Sequence, residues 1–295
     1  GSANPAAFPL VIRYGVTALD IPANQGGDQL DLAASLVFDT ANGTSTPITA
    51  TAGADIVEPG LAIEKIVTPV IGEAGVLVGY QVTLRNSGTG PAYDMALTDV
   101  AAPGLVPEGP VTLLLNGVST VFASANDVVV ARLLPGEVAL VSYSARIADS
   151  VLVGTVLPNT ASSPSSSLPG TDPAERTYAP VADDASVTLA PSTPVTLVKA
   201  IPVPPTSDPN TGDAQLRAGI TDLGIGERAT VELTAVLPRG TVANLVLTDQ
   251  LTTPAAALGF DAGSVVATLG GTVLDPASYT VTLIDSNGDG IADQV

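Results

Sequence analysis

The chain of 295 residues contains no cysteine, no histidine and no tryptophan. Without cysteine there is neither a disulfide nor thiolate chemistry. Without histidine the commonest general base and the commonest metal ligand are gone. Aromatic residues make up only 3% of the chain, so cores must be built from small side chains. Basic residues number 10 against 29 acidic ones, a net charge of −19. That balance argues against nucleic acid or an anionic membrane as a partner, because both need basic patches. It favours a soluble, self-repelling surface. No apolar run reaches membrane-spanning length, so membrane insertion of this segment is not expected. Gly1-Ser2 reads as an expression remnant rather than a signal sequence.

What is present is turn chemistry and short apolar alternation. Glycine (29) and proline (25) are spread along the chain rather than clustered. Val and Thr are abundant, and no long window carries a helical period. The pattern predicts an all-β fold of tandem immunoglobulin-like β-sandwiches. Residues 58–190 hold a full set of strands: Leu61–Val67, Val78–Arg85, Tyr93–Asp99, Val111–Leu115, Val128–Leu133, Val138–Ile147, Val151–Ser162 and Ala185–Leu189. Ser163–Arg176, rich in Pro, Ser and Gly, predicts an exposed loop. Residues 1–57 contain one alternating strand with Leu30, Leu32, Ala34, Leu36 and Phe38 on its apolar face, a turn at Ala41–Thr44, and a further strand to about Val57.

The order of parts repeats. Val195–Ile201 resembles Leu61–Val67, and Val246–Gln250 resembles Ala96–Val100. Tyr14 through Ser35 corresponds to Tyr143 through Ser162. The expectation is a window on a tandem array. It holds the C-terminal part of one repeat (1–57), a complete repeat (58–190), and the N-terminal part of a third (191–295).

Lysine occurs twice in the whole chain, at 65 and 199. Side chains alternate faces along a strand. Lys65 therefore shares a face with Leu61, Ile63 and Val67, and Lys199 with Val195, Leu197 and Ile201. A bare ammonium on a buried face is too costly to persist. Parity also turns Asp99 inward with Met95 and Leu97, and Asn159 inward with Val153, Leu157 and Ala161. Taken singly, each of the three is as well read as a polar group satisfied locally. Together they form a reactive set. A lysine desolvated by the core loses its proton and becomes a nucleophile. A carboxylic acid in the same apolar site stays protonated and donates to the asparagine carbonyl. The amine attacks, ammonia leaves, and a neutral Lys65–Asn159 amide ties the first strand to a late one. The third unit repeats only Lys199 and Asp249, an incomplete second set. In the first fragment the position matching Asn159 is Leu32.

At Leu61–Val67, Tyr80–Leu105 and Leu157–Ser162 the sequence resembles the conserved-repeat, immunoglobulin-like domain of large bacterial surface proteins and adhesins. The resemblance covers 58–190 well and 191–260 in part. Related surface domains carry intramolecular Lys–Asn isopeptide bonds. The resemblance therefore implies Lys65 as nucleophile, Asn159 as acceptor and Asp99 as assisting acid.

Near the C-terminus, Asp285, Asn287, Asp289 and Asp293 supply side-chain oxygens, and Ile291 a backbone carbonyl, at the spacing that opens a calcium loop. The other reading is a turn rich in Asn, Asp and Gly. Apart from such Ca²⁺, no cofactor is expected. Gly224–Ala229 resembles a dinucleotide loop only in its glycines, and Asn42-Gly43-Thr44 is better read as a turn than as a glycosylation sequon. Paired carboxylates without tryptophan offer no sugar platform.

The function expected is structural. The segment reads as part of a stalk in a bacterial cell-surface adhesin or secreted biofilm matrix protein, extracellular, with neighbouring repeats as its partners. Its only catalysis would be directed at itself, so it is not an enzyme. The alternative is a calcium-dependent adhesive or filament-forming module in which these domains themselves contact the partner. Separately, self-association by strand addition would let the incomplete third unit accept a strand from residues 1–57 of a second chain.

Overall fold

A computed structural model describes residues 9–191, 194–202, 230–250, 260, 262–285 and 295. The chain forms two compact units, 1–242 and 243–295. In the first unit the initial strands are β1 (Gln29–Leu36), β2 (Asp39–Thr40), β3 (Gly43–Thr44) and β4 (Ile48–Asp55). β1 and β4 pair antiparallel, with Leu32 opposite Ala52. β2 and β3 form the hairpin expected at Ala41–Thr44. The alternation of β1 makes a strand, but its apolar residues are not covered: Leu32, Leu36 and Phe38 are exposed.

Residues 58–190 build the all-β sandwich that the alternation predicts. Its strands are β5 (Leu61–Thr68), β6 (Ile71–Gly72), β7 (Leu77–Asn86), β8 (Ala92–Ala96), β9 (Thr98–Ala101), β10 (Leu105–Leu115), β11 (Val118–Phe122), β12 (Val129–Leu133), β13 (Val138–Ile147), β14 (Val156–Ser166) and β15 (Thr177–Leu189). One sheet runs β11-β10-β13-β7-β5. The facing sheet runs β12-β8-β14-β15-β6, with β9 paired onto β14. Every second residue of β7 (Val78, Tyr80, Val82, Leu84, Asn86) and of β13 (Ala139, Val141, Tyr143, Ala145, Ile147) is buried. On the opposite sheet the inward residues are Leu157, Asn159 and Ala161 of β14, and Ala185, Val187 and Leu189 of β15. The core between them is mostly Val, Ala and Leu, as the scarcity of aromatics requires.

Several strand limits differ from the sequence reading. β14 begins at Val156 rather than Val151, because Val151–Thr155 makes turns. β14 also runs on to Ser166, into the start of the expected 163–176 loop, and β15 begins at Thr177 rather than Ala185, leaving an excursion at 167–176. β11 was not foreseen. Its signal is Asn116-Gly117 between two apolar runs, and both residues have the positive φ (52° and 79°) that a tight hairpin turn demands.

The entry to the sandwich is fixed by a buried amide. Asn86 is fully buried, and its Oδ1 accepts from the backbone N–H of Gly60 and Gly88, each at 3.0 Å. Its Nδ2 donates to the carbonyls of Gly90 (2.8 Å) and Leu133 (2.9 Å). All four bonding positions are used, so its burial carries no penalty of unpaired groups. Glycine is required here: a Cβ on Gly88 would lie 2.2 Å from the Gly60 nitrogen.

After the sandwich, β16 (Thr196–Ala200) pairs with β17 (Glu232–Val236), and all of β16 is exposed. In the second unit β18 (Thr268–Leu269) pairs with β19 (Thr272–Val273). The stretch 246–250, expected to be a strand like 96–100, forms none; its backbone pairing is between Asp249 and Val295. Gly224–Ala229 lies outside the described residues.

Candidate functional site

The candidate site is the middle of the sandwich, where five strands deliver polar groups into an otherwise apolar layer. β5 presents Lys65 on its inward face between Ile63 and Val67. In the ladder Lys65 lies opposite Val82, and Val67 opposite Tyr80. On the other side of β7, Tyr80 lies opposite Tyr143 of β13. Directly opposed residues on one face are held close enough to touch. The two rings accordingly stack, with centroids 5.4 Å apart and planes at 16°. The Lys65 ammonium sits 5.2 Å from the Tyr80 ring centroid and 5.6 Å from that of Tyr143. Such faces attract a cation.

The facing sheet supplies the other partners. Asp99 on β9 lies opposite Ala161 of β14, and Asn159 lies opposite Ala101. Asp99 and Asn159 are therefore diagonal neighbours on one face. Asp99 is held by its backbone: its N–H donates to the Asn126 side-chain oxygen (2.6 Å), and its carbonyl accepts from Asn126 Nδ2 (3.2 Å). Asn126 belongs to a one-turn 3-10 helix (Ala125–Asp127) and thus does for β9 what a neighbouring strand would do.

The three residues singled out by parity do converge. Lys65 Nζ donates to Asp99 Oδ2, and the lysine head has no solvent exposure at all. Asn159 is 1% exposed. The expected direct bond from Asp99 to the Asn159 carbonyl is absent, for a geometric reason. Diagonal pairs stand farther apart than opposed ones, and a third side chain fills the gap. The Tyr143 hydroxyl donates to Asp99 Oδ2 and accepts from Asn159 Nδ2 at 3.2 Å. The chain of contacts is thus Lys65, Asp99, Tyr143, Asn159. Two polar atoms at the same place have no hydrogen-bond partner: Asn159 Oδ1 and the Tyr80 hydroxyl. That hydroxyl lies near enough to the Asn159 amide to sense it electrostatically, but makes no well-formed bond to it.

Burial dominates the electrostatics. Desolvation pulls the Lys65 pKa below its ordinary value, and the bond to Asp99 and the charges of Asp99, Asp183 and Asp184 only partly oppose it. Burial, reinforced by the Asp99 charge, pushes Tyr80 up to about 12. Burial and the Asp99 contact push Tyr143 higher still, so both tyrosines are neutral hydroxyls. A lysine inclined to be an amine, a carboxyl beside it and a carboxamide one hydroxyl away are the components of amide transfer.

Sequence reasoning gave no role to Tyr80, Tyr143 or Asn126. Two of only six tyrosines fall on inward positions of strands that turn out to be neighbours. Parity is visible in sequence; the neighbourhood is not.

The second set behaves differently. Lys199 is on the exposed strand β16, not on a buried face, because no second sheet covers that strand among the described residues. Asp249 is buried. Of the calcium-loop residues, Asp285 is described and exposed, whereas Asn287, Asp289, Ile291 and Asp293 lie outside the described residues. Among the described residues no group of three or more acidic side chains is arranged to hold a metal.

Neither a protein-family model nor a curated protein sequence matches the chain. Solved structures resemble it at low identity. The pilus backbone RrgB of Streptococcus pneumoniae is 17% identical with a TM-score of 0.31, over 38% of this chain and 32% of that one. A D312A form of BcpA, the major pilin subunit of Bacillus cereus, is 15% identical with a TM-score of 0.35, over 70% of this chain and 64% of that one. The collagen-binding subdomain ACE19 of the Enterococcus faecalis surface protein ACE is 12% identical with a TM-score of 0.27, over 43% of this chain and 95% of that one. The chain thus spans about a third of RrgB and just under two-thirds of BcpA, and no residue of the site is assigned from these likenesses.

Proposed function

We infer that this chain is a structural segment of a bacterial surface or matrix protein, and that its middle sandwich locks itself with an amide between Lys65 and Asn159. The observation that carries the reading is the fully buried Lys65 head, bonded to Asp99 and linked through Tyr143 to the carboxamide of Asn159. A permanent buried ion pair is a poor way to stabilise a core. Conversion to a neutral amide removes the charge from the core, and it joins β5 to β14 in a chain that has no cysteine. The bond closes a long loop, a cross-link of the kind that removes most entropy from the unfolded chain.

The repeat order adds to this reading. β1 pairs with β4 as β14 pairs with β15, and each hairpin is followed by a joint and a lysine-bearing strand. The boundaries 1–57, 58–190 and 191–295 are accordingly proposed as parts of three successive repeats. Partners would be neighbouring repeats of the same protein, and the setting extracellular. The chemistry would run once and act only on the chain itself.

Intact mass of the purified chain tests the bond, with Lys65→Ala as control. The expected wild-type mass is one ammonia below the sequence mass, and the Lys65→Ala mass is the full sequence value. A wild-type chain at full sequence mass would overturn the cross-link and leave Lys65 as a buried ion pair with Asp99.

A further inference from the structure

The isopeptide reading leaves a gap in the chemistry. Ammonia is a poor leaving group unless its nitrogen is protonated as the C–N bond breaks, and the oxyanion that forms first needs a donor. Asp99 touches the amine but not the carboxamide. The nitrogen end of the carboxamide instead meets a tyrosine: Nδ2 is bonded to the Tyr143 hydroxyl. Oδ1 and the Tyr80 hydroxyl are both buried and both without a hydrogen-bond partner. Two buried polar atoms left unpaired are uncommon in a folded core. They are explained if the pair is complementary to a later state of the reaction rather than to its start.

We propose that the two stacked tyrosines are catalytic residues that divide the Asn159 carboxamide between them, Tyr143 serving the departing nitrogen and Tyr80 the carbonyl oxygen. The proposal rests on the isopeptide reading above. The steps balance as follows. A proton passes from the Lys65 ammonium to Asp99, leaving a neutral amine and a neutral carboxyl. The amine nitrogen bonds to Cγ of Asn159, and the C=O pair moves onto Oδ1, where the Tyr80 hydroxyl donates to it. Cγ is now tetrahedral, so Nδ2 gains a free lone pair. Asp99, now an O–H donor, gives its proton to Tyr143 as the Tyr143 hydroxyl turns and gives its own to Nδ2. The Oδ1 pair re-forms the C=O bond as the C–Nδ2 bond breaks, and ammonia leaves with that bond's electron pair. The former lysine nitrogen returns its extra proton to Asp99. The products are the Lys65–Asn159 amide, a protonated Asp99 and ammonia, with no net gain or loss of protons or charge. Both tyrosines remain neutral hydroxyls throughout, as their raised pKa values require.

The test uses full-length chains held in denaturant, where the site is apart, then refolded by dilution and followed by intact mass. Wild type, Tyr143→Phe and Tyr80→Phe are compared between about pH 6 and pH 8. In the wild type the proton circulates inside a dry site, so the rate should be nearly independent of pH. Tyr143→Phe should slow bond formation by about a hundredfold or more. Its rate should also fall as pH rises, because the leaving nitrogen must then draw its proton from solvent. Tyr80→Phe should slow the reaction by roughly a hundredfold with the flat profile kept, because it removes one oxyanion donor and no proton carrier. A purely structural role is excluded by placing each substitution in an Asn159→Ala background, where no bond can form. There the Tyr80→Phe midpoint should stay close to that of Asn159→Ala alone, and Tyr143→Phe, which also loses its bond to Asp99, should melt lower but still in one transition. If that background shows Tyr143→Phe failing to fold, the Tyr80→Phe rate decides. A wild type that loses ammonia while either folded variant reacts at the wild-type rate overturns the proposal and leaves the isopeptide reading standing. A wild type that never loses ammonia overturns both.

Discussion

β5 and β16 share a pattern and meet different fates. Both set a lysine two residues after a branched apolar residue, Ile63 or Leu197, both hold one of the two lysines, and both pair antiparallel with a following strand. Lys65 is opposite Val82 and Lys199 opposite Leu233, so even the register is alike. Yet Lys65 is 3% exposed and every residue of β16 is exposed. The same contrast separates β14 from β1, where Asn159 is buried and Leu32 is 42% exposed. Alternation specifies a strand and its two faces. Burial is conferred by a second sheet, and burial is what draws the Lys65 pKa down.

The sharpest way to break the comparison is Asp99→Ala. It removes the carboxylate bonded to the Lys65 head and leaves a buried lysine with no counter-charge and no proton carrier toward the amide. Breaking a buried pair this way costs about 3–5 kcal/mol, beyond the roughly 2–4 kcal/mol of a lost cross-link. The thermal transition of the middle sandwich should fall further than in Lys65→Ala, where charge and cross-link disappear together. Equal midpoints for the two variants would show that Lys65 is not held as described. Next in size, Asn86→Ala strands four backbone groups, and a loss of about 2–3 kcal/mol is expected by denaturant titration; a loss under about 0.5 kcal/mol would contradict its place at the entry. The titration of Lys65 gives a smaller and signed effect, read in Asn159→Ala, where the amine cannot be consumed. Its folded pKa is depressed, so between that value and the ordinary 10.5 the unfolded chain binds more protons than the folded one. Stability should therefore rise with pH across that window and level off above it. The cross-linked wild type, with no amine to titrate, should lack this rise; stability falling with pH in the variant would refute the depressed pKa. Last, Lys199→Ala should move stability by no more than about 0.5 kcal/mol, as expected at an exposed position.

Much of this was legible in the sequence. The parity that put Lys65 with Val67, Asp99 with Met95 and Leu97, and Asn159 with Leu157 and Ala161 matches the buried faces, because a period of two is a local property of an extended chain. Lys65, Asp99 and Asn159 could be assembled from parity alone. What stayed hidden was lateral order. The stacking of Tyr80 on Tyr143 depends on β7 and β13 being neighbours although some fifty residues apart, and no local period encodes that. The diagonal offset of Asp99 from Asn159 likewise depends on register, which is why a direct bond was expected where Tyr143 intervenes. Lys199 was read as buried by the same parity rule that succeeded for Lys65. The rule assigns faces, and it is silent about what lies across from them.

The backbone of β5 has a further consequence. β5 is an edge strand, and its outward N–H at Lys65 is already taken by Asp183 Oδ2 of β15 at 2.7 Å. Free edges recruit other strands. Repeats of similar sequence in one polypeptide are prone to exchanging strands during synthesis, since a neighbour's hairpin is nearly as good a match as one's own. A carboxylate parked on the edge closes that docking position to a foreign strand and surrounds it with negative charge. The position that buries its side chain in the core thus also shuts its backbone to a foreign strand.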